Sequence, residues 1–106
     1  MNNELPLTEG VFYILLALHK PNHGYGVIQE IQNLTSNRVV LGAGTLYGAL
    51  NTMLERGWIQ LHSEETSSRK KKEYVITSLG KQITALEINR LKELLEHGNQ
   101  LLEGNQ

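Results

Sequence analysis

The chain has no cysteine, which removes disulfides, thiolate metal sites and cysteine nucleophiles together. Aspartate is also missing, so acid–base chemistry would rest on glutamates and on His19, His23, His62 and His97. No serine–histidine arrangement suggests a hydrolase. His19 and His23 have the spacing of a helical metal pair, but Pro21 lies between them and would break that helix. They read as exposed turn residues. Long hydrophobic stretches are lacking too: the longest apolar run, Val11 to Leu18, is far shorter than the roughly 20 residues a bilayer needs. Nothing resembles a signal peptide. A cytoplasmic, non-enzymatic protein with no metal is the expectation.

What is present fits one domain, since 106 residues fall in the usual single-domain range. Such a chain buries only a modest core, and a subunit interface would help it. The formal net charge of −1 conceals an uneven distribution. Residues 66–72 carry four positive charges and no negative one, whereas the stretch from Thr84 onward has four glutamates against Arg90 and Lys92. Local charge, not the total, decides whether a polyanion can bind.

Thr8 predicts an N-cap, with Glu9 in the favoured first turn of a helix over about residues 9–20. That helix is apolar nearly all round, as expected of a central core helix or one shared with a second subunit. Pro21 to Gly24 predicts a turn. A second helix follows over about 25–36, with Tyr25, Ile28, Ile31 and Leu34, together with Val27, as its buried stripe. Gly24 and Gly26 read as permitting close helix approach, because the Walker pattern of a phosphate loop is absent. Val39 to Leu41 reads as a short extended segment.

The third helix, about 44–56, divides clearly at about 100° per residue. Leu46, Leu50, Met53 and Leu54 gather on one side, and Gly44, Gly48, Asn51 and Glu55 on the other, with Thr45, Tyr47 and Thr52 at the flanks. An ordinary surface helix would carry lysine and glutamate outward. Here the outward N-terminal turns are small and uncharged, which suits close approach to a nucleic-acid groove. Gly57 closes the helix.

Trp58 to Ser63 and Lys72 to Thr77 predict two strands, with Trp58, Gln60 and His62 on one face. The connecting hairpin runs through Ser68, Arg69, Lys70 and Lys71. Directly after a candidate recognition helix, such a basic run reads as a phosphate clamp, giving affinity without sequence information. Thr77 or Ser78 caps a last helix over about 79–102. Its early Leu79, Ile83 and Leu86 are expected to close over the strands. From Ile88 the apolar pattern becomes Ile88, Leu91, Leu95 and Leu102, a 3-4 repeat interrupted only by Gly98 and widened by Leu94 and Leu101. Nothing within one small domain covers that stripe, so it predicts a two-chain helical seam.

The predicted class is mainly α with a small β-hairpin. A winged helix-turn-helix occupies residues 1–78 and a C-terminal dimerisation helix residues 79–106, in one compact unit. Leu7 to Leu18, then His23-Gly24-Tyr25-Gly26, then Leu41-Gly42-Ala43-Gly44-Thr45-Leu46-Tyr47 through Gly57, resemble the PadR family of bacterial transcriptional regulators. The turn into Tyr74-Val75-Ile76-Thr77-Ser78-Leu79-Gly80 matches as well. The resemblance implies a homodimeric repressor on an inverted-repeat, palindromic operator in double-stranded DNA, with the third helix in the major groove. It also implies that the first helix packs partly on the partner's last helix. By position, Thr45 and Tyr47 match the recognition motif and Arg69 to Lys71 the basic wing, while Asn51 rests on the helical wheel alone. The family further implies a small hydrophobic or aromatic effector, which no residue here fixes; Trp58 reads as core. A winged-helix protein–protein module without DNA binding is the alternative. It would place hydrophobic or acidic residues on the outward face of 44–55.

Overall fold

A computed structural model describes residues 4–64 and 72–104. The elements run α1 (Glu9–Ala17), β1 (Asn22–His23), α2 (Gly24–Leu34), α3 (Ala43–Arg56), β2 (Ile59–Glu64), β3 (Lys72–Ile76) and α4 (Ser78–Asn99), with a π turn at Gln100–Gly104. This is the winged helix-turn-helix expected, with one strand more than the hairpin.

Thr8 caps α1, its Oγ1 accepting from the Val11 N–H at 3.2 Å. The helix stops at Ala17, earlier than the pattern suggests, because the Leu18 N–H divides between the Ile14 and Leu15 carbonyls and His19 Nδ1 lies 2.7 Å from the Leu16 carbonyl. Ile14, Leu15, Ala17 and Leu18 are buried, whereas Val11, Phe12, Tyr13 and Leu16 are half-buried. The turn expected at Pro21 to Gly24 proves to contain β1, which pairs Asn22 with Tyr74 and His23 with Glu73. His23 then caps α2, its Nδ1 accepting from the Gly26 N–H at 3.1 Å. That bond places the ring proton of a neutral His23 on Nε2.

On α2 the buried stripe is Gly24, Val27 and Ile31, with Ile28 half-buried. Tyr25 and Leu34, expected within it, are 63% and 64% exposed. The period of α2 is as expected but its phase differs: Tyr25 lies about 100° round the helix from Gly24. Beyond Thr35 the chain turns through Ser36 and Asn37, both left-handed at φ 52 and 68. Val39 to Leu41 join no strand; β1 fills the third place in the sheet, whose order is β1-β3-β2.

α3 buries Leu46, Leu50 and Met53, as its spacing predicts, and ends at Gly57 with φ 78. Trp58 and Ile59 are both buried and Gln60, Leu61 and His62 are all exposed, so the alternation expected from Trp58 onward is not seen in the burial. A register shift between Leu61 and Ser63 breaks the ladder with β3. At the opposite end Thr77 joins three elements. Its N–H donates to the Trp58 carbonyl at 2.9 Å, its Oγ1 donates to the Gly57 carbonyl at 2.6 Å, and that oxygen accepts from the Gly80 N–H at 3.0 Å.

The core stripe of α4 is Gly80, Ile83, Thr84 and Glu87. Leu79 and Leu86 lie beside it and are exposed, contrary to the expectation that they close over the strands. From Leu91 to Glu103 every residue is exposed. The molecule measures 63 × 33 × 21 Å, and α4 supplies much of the long dimension.

Candidate nucleic-acid interface

The four helices begin differently. Thr8, His23 and Thr77 each cap one with a side-chain acceptor, whereas Gly42 at the start of α3 offers none. The Leu46 N–H closes the first turn on the Gly42 carbonyl at 2.9 Å, leaving the amides of residues 43–45 without helical partners. Gly44, Thr45, Gly48, Asn51, Thr52 and Glu55 are all exposed, and a Cβ added at Gly44 or Gly48 would meet nothing within 4 Å. Thr52 is occupied with its own helix, its Oγ1 donating to the Gly48 carbonyl at 3.2 Å. The outer face over the first two turns is open, small and uncharged, and Glu55 stands at its far end.

Tyr47 is held more firmly than the sequence suggests. It is 46% exposed, and its phenol lies on the backbone of Gly24 at the start of α2. A Cβ on Gly24 would come within 2.7 Å of Tyr47 Cζ. The glycine thus gives the close approach expected of it, and the partner is this side chain.

Of the hairpin residues, Ser68, Arg69, Lys70 and Lys71 lie outside the described residues. Its feet are defined: Glu64 on β2 stands opposite Lys72 on β3, and Lys72 is exposed.

The residues expected to form a helical seam are mostly exposed. Ile88 is half-buried, but Leu91, Leu95 and Leu102 are 40%, 64% and 81% exposed. Just before them sits a feature that charge counting missed. Glu87 is 2% exposed and receives Arg90 Nε at 2.7 Å and Nη2 at 2.8 Å. It also accepts from the Leu7 N–H at 3.3 Å. Arg90 holds the Glu87 carboxyl below its ordinary value of 4.5, against the opposite push of burial. The available signal was position: Glu87 continues the Ile83–Thr84 stripe and has Arg90 three residues on.

The two histidines at metal spacing have separate tasks, His19 at the end of α1 and His23 as the cap of α2. Among the described residues no group of three or more His, Cys, Asp or Glu could hold a metal. No helix among them is long and apolar enough to cross a membrane.

Residues 11–86 match the family model described as the transcriptional regulator PadR-like family. An uncharacterized protein of Lysinibacillus sphaericus is 32% identical over 90 residues, which is 84% of this chain and 83% of that protein. A PadR family transcriptional regulator from Eggerthella lenta superposes with a TM-score of 0.77 at 22% identity, covering 90% of this chain and 82% of that one. Bacillus subtilis PadR, solved in complex with operator DNA, superposes with a TM-score of 0.66 at 22% identity. That match covers 76% of this chain and 46% of the Bacillus protein.

Proposed function

The chain belongs to the PadR-like family of transcriptional regulators, and from that premise we propose that it is a sequence-specific DNA-binding repressor. In this reading it works in the cytoplasm as a homodimer on an inverted-repeat operator and answers to a small hydrophobic or aromatic effector. The observation that carries the reading is the outer face of α3, where Gly44, Thr45, Gly48 and Asn51 form an open uncharged surface. A protein–protein module would display apolar or acidic side chains there. Bacillus subtilis PadR, of the same fold, is bound to operator DNA, which supports reading this face as the one turned to DNA.

The roles divide by chemistry. Thr45, Tyr47 and Asn51 present hydrogen-bonding groups to base edges, and the two glycines allow the backbone close. Ser68, Arg69, Lys70 and Lys71 supply phosphate contacts. Two α3 helices spaced about 34–36 Å apart would read two half-sites.

The test is binding to the promoter DNA beside its own gene, measured across a salt series. Neutralising about two to four phosphates per wing gives a log–log slope near −2 to −4, doubled in a dimer. Lys70→Ala and Lys71→Ala should each flatten that slope by about one unit per site while leaving sequence preference intact. Tyr47→Ala should instead erode discrimination between operator and random duplex. Absence of binding even at low salt would sink the repressor reading.

Gly24→Ala offers a subtler check. Alanine suits a helix, and the atoms it displaces are the tip of the Tyr47 ring, so the fold should keep its stability to within about 1 kcal/mol. Discrimination should nevertheless fall towards that of Tyr47→Ala, read by competition with random duplex. Unchanged discrimination would remove Tyr47 from base reading.

A further inference from the structure

His23 occupies a place that the functional reading leaves unused. Its Nδ1 accepts from the Gly26 N–H at 3.1 Å, and its own N–H donates to Asn22 Oδ1 at 2.8 Å. The next residue is the buried Gly24, on whose backbone the Tyr47 phenol lies. We infer that neutral His23 is a positioning residue for base reading by Tyr47, and that protonating its ring withdraws the support. The inference rests on the DNA-binding reading above and adds to it a pH-sensitive control of specificity.

The path from His23 to Tyr47 is short. A cap fixes where α2 begins, because the first amides of a helix have no partner inside it. Asn22 closes the same end from outside: a Cβ on Gly26 would come within 2.8 Å of Asn22 Cγ, so the Asn22 amide lies over the Gly26 backbone. β1 holds both residues to β3, Asn22 opposite Tyr74 and His23 opposite Glu73. Gly24 stands between the cap and the capped amide, and its backbone is freed when that bond opens. The Tyr47 ring is placed by its contact with Gly24, so it follows the backbone beneath it.

Histidine is the side chain that ordinarily changes charge between about pH 5 and 8. The bond to Gly26 needs an unprotonated Nδ1, and an imidazolium carries a donor on both nitrogens. Gaining a proton therefore sets N–H against N–H. The cap is present at higher pH and is lost as pH falls. Among the described residues, few titratable groups surround this ring. Glu73 lies opposite on β3, on the same face of the sheet, where its carboxylate gives the charged ring another partner. Lys72 and Tyr74 alternate to the other face of that strand. On α2, Tyr25 and Glu30 are exposed, and Glu30 lies in the cleft against α1. Tyr47 reaches this end of α2 from α3. In the turn ahead of β1, His19 and Lys20 are exposed, and His19 Nδ1 lies on the Leu16 carbonyl.

Binding of the full chain to its promoter duplex and to a scrambled duplex is measured by fluorescence anisotropy from about pH 8 to about pH 5 at fixed salt. The proteins compared are the unmodified chain, His23→Asn and His23→Ala. The readout is the ratio of the two affinities, since protonation of His19, His62 and His97 strengthens binding to both duplexes alike. In the unmodified protein the ratio should fall by about two- to thirtyfold on acidification, which is what the loss of one helix cap can carry. Asparagine places an oxygen where Nδ1 stood and is a good cap that does not titrate. His23→Asn should therefore keep the high ratio at every pH, and His23→Ala should show the low one throughout. Without DNA, hydrogen-exchange protection of the Gly26 amide should fall with pH in the unmodified protein and not in His23→Asn. Three results would overturn the inference: a ratio independent of pH, a fall that persists in His23→Asn, or an undiminished ratio in His23→Ala. If the unmodified protein binds neither duplex at about pH 8, the DNA reading falls and this role with it. If it binds and only the Gly26 amide responds to pH, the cap titrates without reaching Tyr47, and this inference alone falls.

Discussion

Replacing Leu91 and Leu95 together by glutamate should leave the protein monomeric in sedimentation and lower its operator affinity by about 10²- to 10⁴-fold. Leu95 is 64% exposed, and Leu91, 40% exposed, borders a pocket with Leu7, Phe12 and Tyr13, so the substitution removes little contact inside the chain. Glutamate is a good helix former, and circular dichroism should be unchanged. Four buried side chains per subunit, Ile88, Leu91, Leu95 and Leu102, contribute roughly 6–12 kcal/mol, and a pair of chains twice that. Association costs about 4–15 kcal/mol. A seam with so small a surplus does not survive four carboxylates placed within it, since desolvating each costs several kcal/mol. The affinity loss follows from geometry: a dimer presents its second α3 at high effective concentration, and a monomer does not. Should the double variant remain dimeric, the seam lies elsewhere, with the half-buried Val11 and Phe12 of α1 the next surface to mutate.

The largest effect on the fold is expected from Gly80→Ala. A Cβ at this position would stand 2.7 Å from Ile76 Cγ1 and 3.0 Å from the Trp58 carbonyl carbon, and closer still to the Trp58 oxygen. That oxygen cannot retreat freely, because it accepts the Thr77 N–H at 2.9 Å. Overpacking against backbone falls at the upper end of the usual range, about 3 kcal/mol. For a domain of this size the melting temperature should drop by roughly 10–20 °C. Gly48→Ala is the matched control: it lies in a helix with open space around it and should gain about 0.5–1 kcal/mol from the lost chain entropy. Both are compared by thermal denaturation at one protein concentration, since a dimer's midpoint depends on concentration. Equal melting temperatures would mean that the β2–α4 junction gives way more readily than its hydrogen bonds suggest.

The features legible in the sequence were those that act within a few residues. Thr8 and Thr77 announce caps because a hydroxyl needs only the amides of the next turn. Leu46, Leu50 and Met53 reveal the phase of α3 because Gly44, Gly48 and Asn51 leave its other side bare. The misses share a different cause. Tyr25 and Leu34 fit the period of α2, but which residues of an apolar set face inward is decided by where α1 and α3 sit. β1 spans only Asn22–His23, too short for any alternation to register. Trp58 and Ile59 are both inside because the chain turns between α3 and β2, and the burial of Glu87, signalled only by its place after Ile83 and Thr84, comes from the meeting of α4 with Leu7. On the candidate interface, the open face of α3 and the grip of Tyr47 on Gly24 concern residues named from sequence.

Glu87 sets the mechanics of the whole molecule. By holding the amide of Leu7 and the guanidinium of Arg90 at once, it fastens the base of α4 to the segment just ahead of α1. The bond to Leu7 ties the base of the long helix to the head it carries. With 22 residues it is about 33 Å long. In the proposed dimer, a tilt of about 10° at the far end would swing the head by roughly 6 Å, nearly two base-pair steps at about 3.4 Å each. In such a dimer the register of two α3 helices on DNA would be governed by the crossing of two leucine-lined shafts well away from the bases.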